Sequence, residues 1–496
     1  MNYILGIDIG TGSTKAVAVG ADHLAFDSSQ NFYPTDIPHP GYSEQNPELI
    51  WLAFQQCIQA IVLKLQSNPQ AIGLSSAMHS VIPVDEYCNA LAPMMTWADS
   101  RSSGIADRLL AGSLGMDLYK TTGTPVHSMS PLCKIIWIRE NQPEFFKTVH
   151  KFISIKEYIW YRLFGTFEID HSIASCTGLM EVETLNWSLE ALTAAGITAA
   201  QLSTLVSTAY VKKYSGSSLP FLEQGTPFVI GASDGCMANL GTGAITPGIA
   251  ALTIGTSGAL RVASDKAVFN EKAMTFSYRL DEDIFINGGP VNNGGIALKW
   301  HLKNMLGKEE LTGEDFSAAL SRIETITPGA EGLIFLPYLQ GERAPIWDSG
   351  SCGTFFGLRL THHQPHFTRA VIEGICFALN DVLQALTASG QPVTQLNVSG
   401  GFVSSKPWLQ IMADITGKKL VLATAEDASA VGAAYLAVKA IGLSAVYPLP
   451  VKGEETTILP DEENHQHYQT YFGLYQRLYQ NLKGLMHEVF DLQSKE

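Results

Sequence analysis

Residues Ile9–Val17 read IGTGSTKAV, and residues Ile254–Val262 read IGTSGALRV. In each, an apolar strand runs into a short turn of glycine and hydroxyl residues and returns as a second strand, the pattern of a hairpin. The copies begin about half of the 496-residue chain apart. A period that long is no solenoid; it predicts two similar domains, each presenting one glycine-threonine hairpin. Glycine lets backbone approach a ligand closely, Thr and Ser add hydroxyl donors, and successive N–H groups around a turn make a concave anion site. Two such turns facing across a cleft would grip a polyphosphate from both sides. The copies differ in one respect. Asp8 stands two residues before Gly10, whereas Thr253 holds the equivalent place. A carboxylate beside the first turn alone suits a water-bridged Mg²⁺, so the expectation is a split nucleotide clamp with its metal on the amino-terminal side.

Composition narrows the alternatives. Hydrophobic residues make up 46% and charged residues 16%, a globular balance. The net charge of −15 comes with no block of Lys or Arg, which argues against nucleic acid as a partner but leaves room for a local pocket that takes a small anion. Seven scattered cysteines with no CxxC read as reduced thiols of a cytoplasmic protein. The opening MNYILGIDIG is interrupted at once by Gly6 and Asp8, so it reads as a strand rather than a leader, and no unbroken apolar run suggests a membrane span.

Strands and helices alternate along the chain, which makes the class α/β. Asn46-Pro47-Glu48 is an N-cap, a first-turn proline and an acidic first turn, opening a helix through WLAFQQCIQAIVLKLQ. Strands AIGLS and VIPVD follow, then helical periodicity from about Ser130 to Gly165. After the buried strand PFVIGASDG, a new β region starts at ITPGIAALTIGTSG. The domain boundary is therefore set near residue 245, giving domains 1–245 and 246–496. The second half continues with helix FTRAVIEGICFALNDVLQAL, strand QLNVSGG and helix PWLQIMADI. Near the carboxyl end, Tyr468, Tyr471, Phe472, Tyr475, Leu478, Tyr479 and Leu482 recur at helical spacing, the stripe of a helix packed on the body.

No GxxxxGK[ST] occurs, so this is not a P-loop chain, and GIDIGTGSTK leads into a strand rather than the helix that a dinucleotide fingerprint requires. Taken together and in this order, GIDIGTGSTK, GTSG, GERAPIW and VSGGF resemble the FGGY carbohydrate kinases of the actin-like ATPase superfamily. The resemblance spans nearly the whole chain. It implies two ribonuclease-H-like domains flanking a deep cleft, with MgATP against the carboxyl-terminal domain and the sugar mainly on the amino-terminal one. By the same match Thr11, Gly12 and Ser13 face the terminal phosphate, Gly255, Thr256 and Ser257 its neighbours, and Gly400, Gly401 and Phe402 begin the adenosine site.

A sugar hydroxyl needs a carboxylate to orient it and take its proton. Asp234, at the end of strand FVI in GASDG, is the candidate base, and it matches the family's catalytic aspartate. GASDG is also formally GxSxG, but a hydrolase elbow requires Ser233 on a sharp turn into a long helix, and CMANLGTGAITPG allows only a turn or two. For the substrate, His79 in SSAMHS, with Trp97, Asp99 and Arg101 in MTWADSR, supplies fixed donors, acceptors and a flat wall. AMHS and WADSR, with FISIKEYIWYRLFG and DHSIASCTGL, look like the gluconate kinase branch, whereas relatives acting on xylulose usually read QMHG and WNDxR. A sugar acid needs a cation, for which Arg101 and Lys156 are the candidates, although Lys156 also reads as an ordinary surface lysine. GERAPIW is expected near the cleft as a structural lock, and His362, His363 and His366 as a solvated helix entrance rather than a metal site.

The expected activity is thus an ATP- and Mg²⁺-dependent kinase making 6-phosphogluconate from D-gluconate. The partner is a small-molecule sugar or sugar acid, with no nucleic acid or membrane, and a homodimer is an allowed assembly. A ketose or polyol kinase such as one for xylulose is the rival within the class, and an actin-like chaperone or filament ATPase the rival outside it.

Overall fold

A computed structural model describes residues 2–422, 427–450 and 457–493. By packing, these fall into two units: the first is drawn from 1–245, 263–287 and 427–452, the second from 246–262, 288–426 and 453–496. Two later segments therefore belong with the amino-terminal residues.

In the first unit, strands β1 (Tyr3–Ile9), β2 (Ser13–Gly20), β3 (Ala25–Phe32), β4 (Ala71–Ser76), β5 (Val211–Lys213) and β6 (Pro227–Ser233) form one sheet in the order β5-β6-β4-β1-β2-β3. The hairpin β1–β2 is antiparallel, as IGTGSTKAV predicts, while β4 lies parallel to both β1 and β6. One face is covered by the helix Pro47–Leu65, whose Ile50, Phe54, Ile58 and Ile61 share a core with Leu5, Ile7, Ile72 and Leu74. Its start is the one expected: the Asn46 side chain accepts the Glu48 N–H at 2.9 Å and Pro47 opens the first turn. Gly6 and Gly73 alternate with those core residues and so point to the opposite face. There the helix Ala428–Ala440 lies so close that a Cβ on Gly6 would sit 1.8 Å from the Ala430 carbonyl oxygen, and one on Gly73 2.1 Å from that of Ala433.

The second unit repeats the arrangement. Strands β7 (Ile249–Ile254) and β8 (Gly258–Ser264) form an antiparallel hairpin, β9 (Gln395–Ser399) runs parallel to β7, and β10 (Lys419–Leu422) parallel to β9. Even the register corresponds: Asp8 pairs with Ser75 across β1–β4, and Thr253 with Ser399 across β7–β9. The helix Gln364–Ala388 runs through this core with Ile375, Leu379, Val382 and Leu383 buried beside Leu252 and Val398. The aromatic stripe of the helix Glu462–Gln493 is core as expected, with Tyr468, Phe472, Tyr475 and Tyr479 buried. Two helices, Pro47–Leu65 and Gln364–Ala388, have the length and composition of a membrane span. Both place apolar faces inside a core, and the second also buries an Arg369–Glu373 ion pair at 2.7 Å.

The close seat of the helix Ala428–Ala440 gives a sharp expectation. Gly6→Ala should destabilise by about 1–3 kcal/mol or more through overpacking against backbone that cannot yield, lowering the thermal midpoint by several degrees. Gly12→Ala, where an added Cβ meets nothing within 4 Å, should leave the midpoint unchanged.

Candidate active site

Because β1, β4 and β6 are parallel, their carboxyl ends lie at one edge of the sheet, and the register sets Asp8 beside Ser75 and Ser75 beside Ala232. Asp234 is the first residue after β6 and opens the helix Asp234–Gly241. Ser233 caps that helix, its Oγ accepting the Cys236 N–H at 3.5 Å and lying 3.1 Å from Ser172 Oγ, and it is fully buried. A buried capping serine is no exposed nucleophile, so GASDG is not a hydrolase elbow. The Ser429 hydroxyl donates to the Asp234 carbonyl at 3.1 Å and fixes the helix start from the far segment.

Burial first, and the charge of Asp234 second, push the Asp8 carboxyl up to about 7, against the pull of Lys15 and of a 2.7 Å hydrogen bond from Ser75. Lys15, directly across the hairpin from Asp8, is itself ion-paired with Asp427. Two neighbouring carboxyl groups in a buried setting make a place for a proton or a hard cation. No cluster of three His, Cys, Asp or Glu able to cage a metal occurs among the described residues. An ion at Asp8 would take most of its ligands from water and phosphate, which is the habit of Mg²⁺.

The carbonyls of the first turn are occupied. Tyr33 Oη–H donates to Gly10 O at 2.5 Å, Gln45 Nε2 to Thr11 O at 2.5 Å, and the Tyr33 N–H to Gly12 O at 3.2 Å. Among the described residues, nothing accepts from the amides of Thr11 and Gly12. Outward amides on a fixed turn are an anion site. Ser13 Oγ accepts from Gln30 Nε2 at 2.8 Å, and the Trp97 indole N–H donates to Thr11 Oγ1 at 2.9 Å. That last bond joins a residue expected at the phosphate to one expected at the sugar.

His79 sits in the left-handed region (φ 66°), with Nδ1 2.8 Å from Cys176 O and Nε2 3.5 Å from Tyr278 Oη. Its carbonyl and that of Thr96 both accept from Lys134 Nζ at 2.6 Å. Lys134 is fully enclosed, and burial lowers its ammonium to about 7. The sequence reading missed it, although a single lysine inside the apolar helix PLCKIIWIREN is a legible oddity. Asp99, fully buried, accepts from Arg101 Nε at 2.8 Å and Nη2 at 2.7 Å. Arg101 also reaches Glu44 at 2.5 Å and lies 3.5 Å over the Tyr42 ring. Lys156 is not a surface lysine: it is 1% exposed, paired with Asp170 at 2.7 Å and donating to Ala232 O at 2.8 Å. Both cations expected for a substrate carboxylate are therefore already neutralised by carboxylates of the chain.

In the second unit, a pocket of about 880 Å³ is lined by Gly255, Thr256, Gly401 and Phe402 together with Lys299, Phe316, Ser317, Ser321, Lys406 and Trp408. Its size suits a nucleotide. The second turn rests on the start of the helix Gly295–Leu306, with the Gly295 N–H on Gly255 O at 2.8 Å and the Ile296 N–H on Thr256 O at 3.1 Å. Ser257 and Gly400 are not among the residues that line it. Ser257 O accepts from the Gly255 N–H at 2.9 Å, and a Cβ on Gly400 (φ 98°) would lie 2.3 Å from Ile254 O. The Phe402 ring is buried edge-on against Trp408, a wall rather than an open stacking platform. Gly255 and Gly401 have ordinary φ and no protein atom within 4 Å of an added Cβ. Among the described residues, an added Cβ at either position would meet only open space. The helices around Lys299 and Phe316 carry no motif and were not anticipated, and the helix at Lys406 was expected as PWLQIMADI but not as part of the pocket wall. His362, His363 and His366 do stand at the entrance of the helix Gln364–Ala388, but not as a solvated one: His362 and His366 are buried, and His366 Nδ1 accepts the His363 N–H at 3.1 Å while its Nε2 lies 3.5 Å from Glu331.

Residues 3–241 match the FGGY family of carbohydrate kinases, N-terminal domain, and residues 250–441 its C-terminal domain. A gluconokinase of Bacillus subtilis is 40% identical over 99% of this chain and 98% of its own length. Crystal structures of a gluconate kinase and of a ligand-bound xylulose kinase from Lactobacillus acidophilus each superpose with a TM-score of 0.91. The first is 34% identical over 97% of this chain and 98% of that one, the second 33% identical over 97% and 99%.

The buried Lys156–Asp170 pair is open to test. Lys156→Met should destabilise by about 3–5 kcal/mol, because it strands a carboxylate in the core, and adding Asp170→Leu should recover most of that loss. Thermal unfolding of the single and double variants measures both.

Proposed function

From the premise that the chain belongs to the FGGY family of carbohydrate kinases, which transfer a phosphoryl group from ATP to a sugar hydroxyl, we propose that its acceptor is a sugar acid, D-gluconate, and its product 6-phosphogluconate. The observation that carries the reading is the meeting of Asp8, Asp234 and the outward amides of the Thr11 turn at one sheet edge, in a chain 40% identical to a gluconokinase along its length.

In this reading the Asp234 carboxylate orients the attacking hydroxyl and accepts its proton as the phosphorus–oxygen bond forms. The amides of Thr11 and Gly12, with Ser13, receive the terminal phosphate. Gly255, Thr256 and Ser257 hold the neighbouring phosphates, while Gly400, Gly401 and Phe402 border the adenosine. Asp8 holds Mg²⁺ through water, and the ion, when bound, offsets phosphate charge. His79, Trp97, Asp99 and Arg101 shape the sugar side, with Lys134 and Lys156 holding backbone behind them; neither Arg101 nor Lys156 is assigned to the acid group. Seven cysteines, none of them in a disulfide among the described residues, support a reducing, cytoplasmic setting.

The rival is a ketose kinase, supported by the equally good superposition on xylulose kinase. A coupled assay of ADP release over gluconate, xylulose, ribulose, glycerol and fuculose decides between them. Gluconate should lead by at least about tenfold in kcat/KM, with little ATP turnover in the absence of sugar. Fast xylulose turnover with none on gluconate would transfer the assignment to the rival. In the same assay Asp234→Asn should lower kcat about 10²–10⁴-fold while ATP affinity holds; wild-type turnover in that variant removes Asp234 as the base.

A further inference from the structure

GERAPIW reads from its sequence as a structural lock, and none of its residues is among those assigned above to phosphate or sugar. Its Glu342 is buried and reaches Asn292 and Asn293. Its carboxylate accepts from the Asn292 backbone N–H, from Asn293 Nδ2 at 3.1 Å and from the Arg343 N–H at 2.8 Å. Asn292 Nδ2 further donates to Gln340 O at 3.1 Å, and Asn293 Nδ2 to Gly341 O at 2.8 Å. The two asparagines are thus held to residues 340–342 by both backbone and side chain. They immediately precede Gly294 and Gly295, whose N–H groups donate to Thr256 O at 3.2 Å and Gly255 O at 2.8 Å. The contact is tight: a Cβ on Gly294 would lie 2.5 Å from Ser257 O, and one on Gly295 2.7 Å from Gly255 O. Any shift of the asparagines is passed to the turn with no slack.

We propose that Glu342 is a positioning residue for the nucleotide: through Asn292 and Asn293 it sets the helix start on which the Gly255–Ser257 turn rests, and the carboxyl-terminal helix braces it from behind. The inference rests on the reading of the second unit's pocket as the nucleotide site.

The brace is a short chain of bonds. Glu342 and Asp348 exchange backbone hydrogen bonds, both at 2.9 Å. The Asp348 carboxylate accepts from Tyr479 Oη–H at 2.8 Å and from His487 Nε2 at 2.8 Å, both on the helix Glu462–Gln493. A carboxylate that takes several donors in a buried place fixes them strongly. A phosphate turn misplaced by about an ångström loses much of its hold on a ligand.

The test compares wild type, Glu342→Gln and Tyr479→Phe by calorimetric titration with ADP and by sugar KM at saturating ATP. Glutamine keeps the shape but sets an NH₂ against groups that are themselves donors; phenylalanine removes one bond of the brace. Glu342→Gln should weaken ADP binding about tenfold and Tyr479→Phe about two- to fivefold, each with the sugar KM within about twofold of wild type. ADP affinity equal to wild type in both variants overturns the proposal. So does a parallel rise in sugar KM, or a fall in thermal midpoint without weaker ADP binding, since either marks a merely structural lock. If Glu342→Gln does not fold, Tyr479→Phe decides alone by the same split. Wild type that fails to bind ADP would refute the nucleotide pocket itself, a result distinct from variants that bind as well as wild type.

Discussion

Four glycines let backbone touch backbone where the first unit's site is made. Besides Gly6 and Gly73 on the sheet, Gly241 and Gly432 join the helices Asp234–Gly241 and Ala428–Ala440, where a Cβ would lie 1.9 Å from Ala428 O and 2.0 Å from Met237 O. No side chain separates these elements, so their spacing is set by hard contact and does not depend on how a rotamer settles. The consequence is positional. The same helix brings Ser429 to the Asp234 carbonyl and is preceded by Asp427, the partner of Lys15. The backbone of Asp234 and the lysine across the hairpin from Asp8 are thus both held by a segment about 200 residues further along the chain than Asp234.

The two halves keep one scaffold and divide the chemistry. In each, a residue near the end of the first strand contacts a serine on the parallel neighbour: Ser75 donates to Asp8 at 2.7 Å, and Thr253 and Ser399 hydroxyls lie 3.0 Å apart. The first pair puts a buried charge next to its turn, where burial and Asp234 make ionisation costly until a cation arrives. The second pair is neutral, and its turn opens on a roomy pocket with glycines where ligand space is needed. One copy is suited to managing charge, the other to accepting bulk.

Much of this was legible in the chain. Local signals carried it: the paired turns, the Asn46-Pro47 helix start, the strand running into Asp234, and the aromatic period of the last helix each depend on neighbours a few residues away. What was not legible depends on distant partners. Lys156 looks like any lysine until Asp170 and Ala232 surround it, and Arg101 looks available until Glu44 and Tyr42 are folded against it. The segment ASAVGAAYLAVKA shows no amphipathic face, because small residues are buried all round it, and its allegiance to the first sheet has no signature within its own thirteen residues. Phe402 was expected beside adenosine and does line the pocket, yet its ring is spent on Trp408, a contact that only packing reveals.

The three-part origin of the first unit has a bearing on how the polypeptide is made. A nascent chain emerging from the ribosome can pair β1 with β2 and β4 early, and the helix Pro47–Leu65 can cover one side of them at once. The other side, with Gly6 and Gly73 bare, waits until residue 440 has been synthesised, by which time most of the second unit is already outside. Domains usually mature in the order of translation; here neither can be finished before roughly the last seventy residues, since the helix Ala428–Ala440 completes the first and the helix Glu462–Gln493 the second, and an incomplete product would display an uncovered sheet of the kind that chaperones bind.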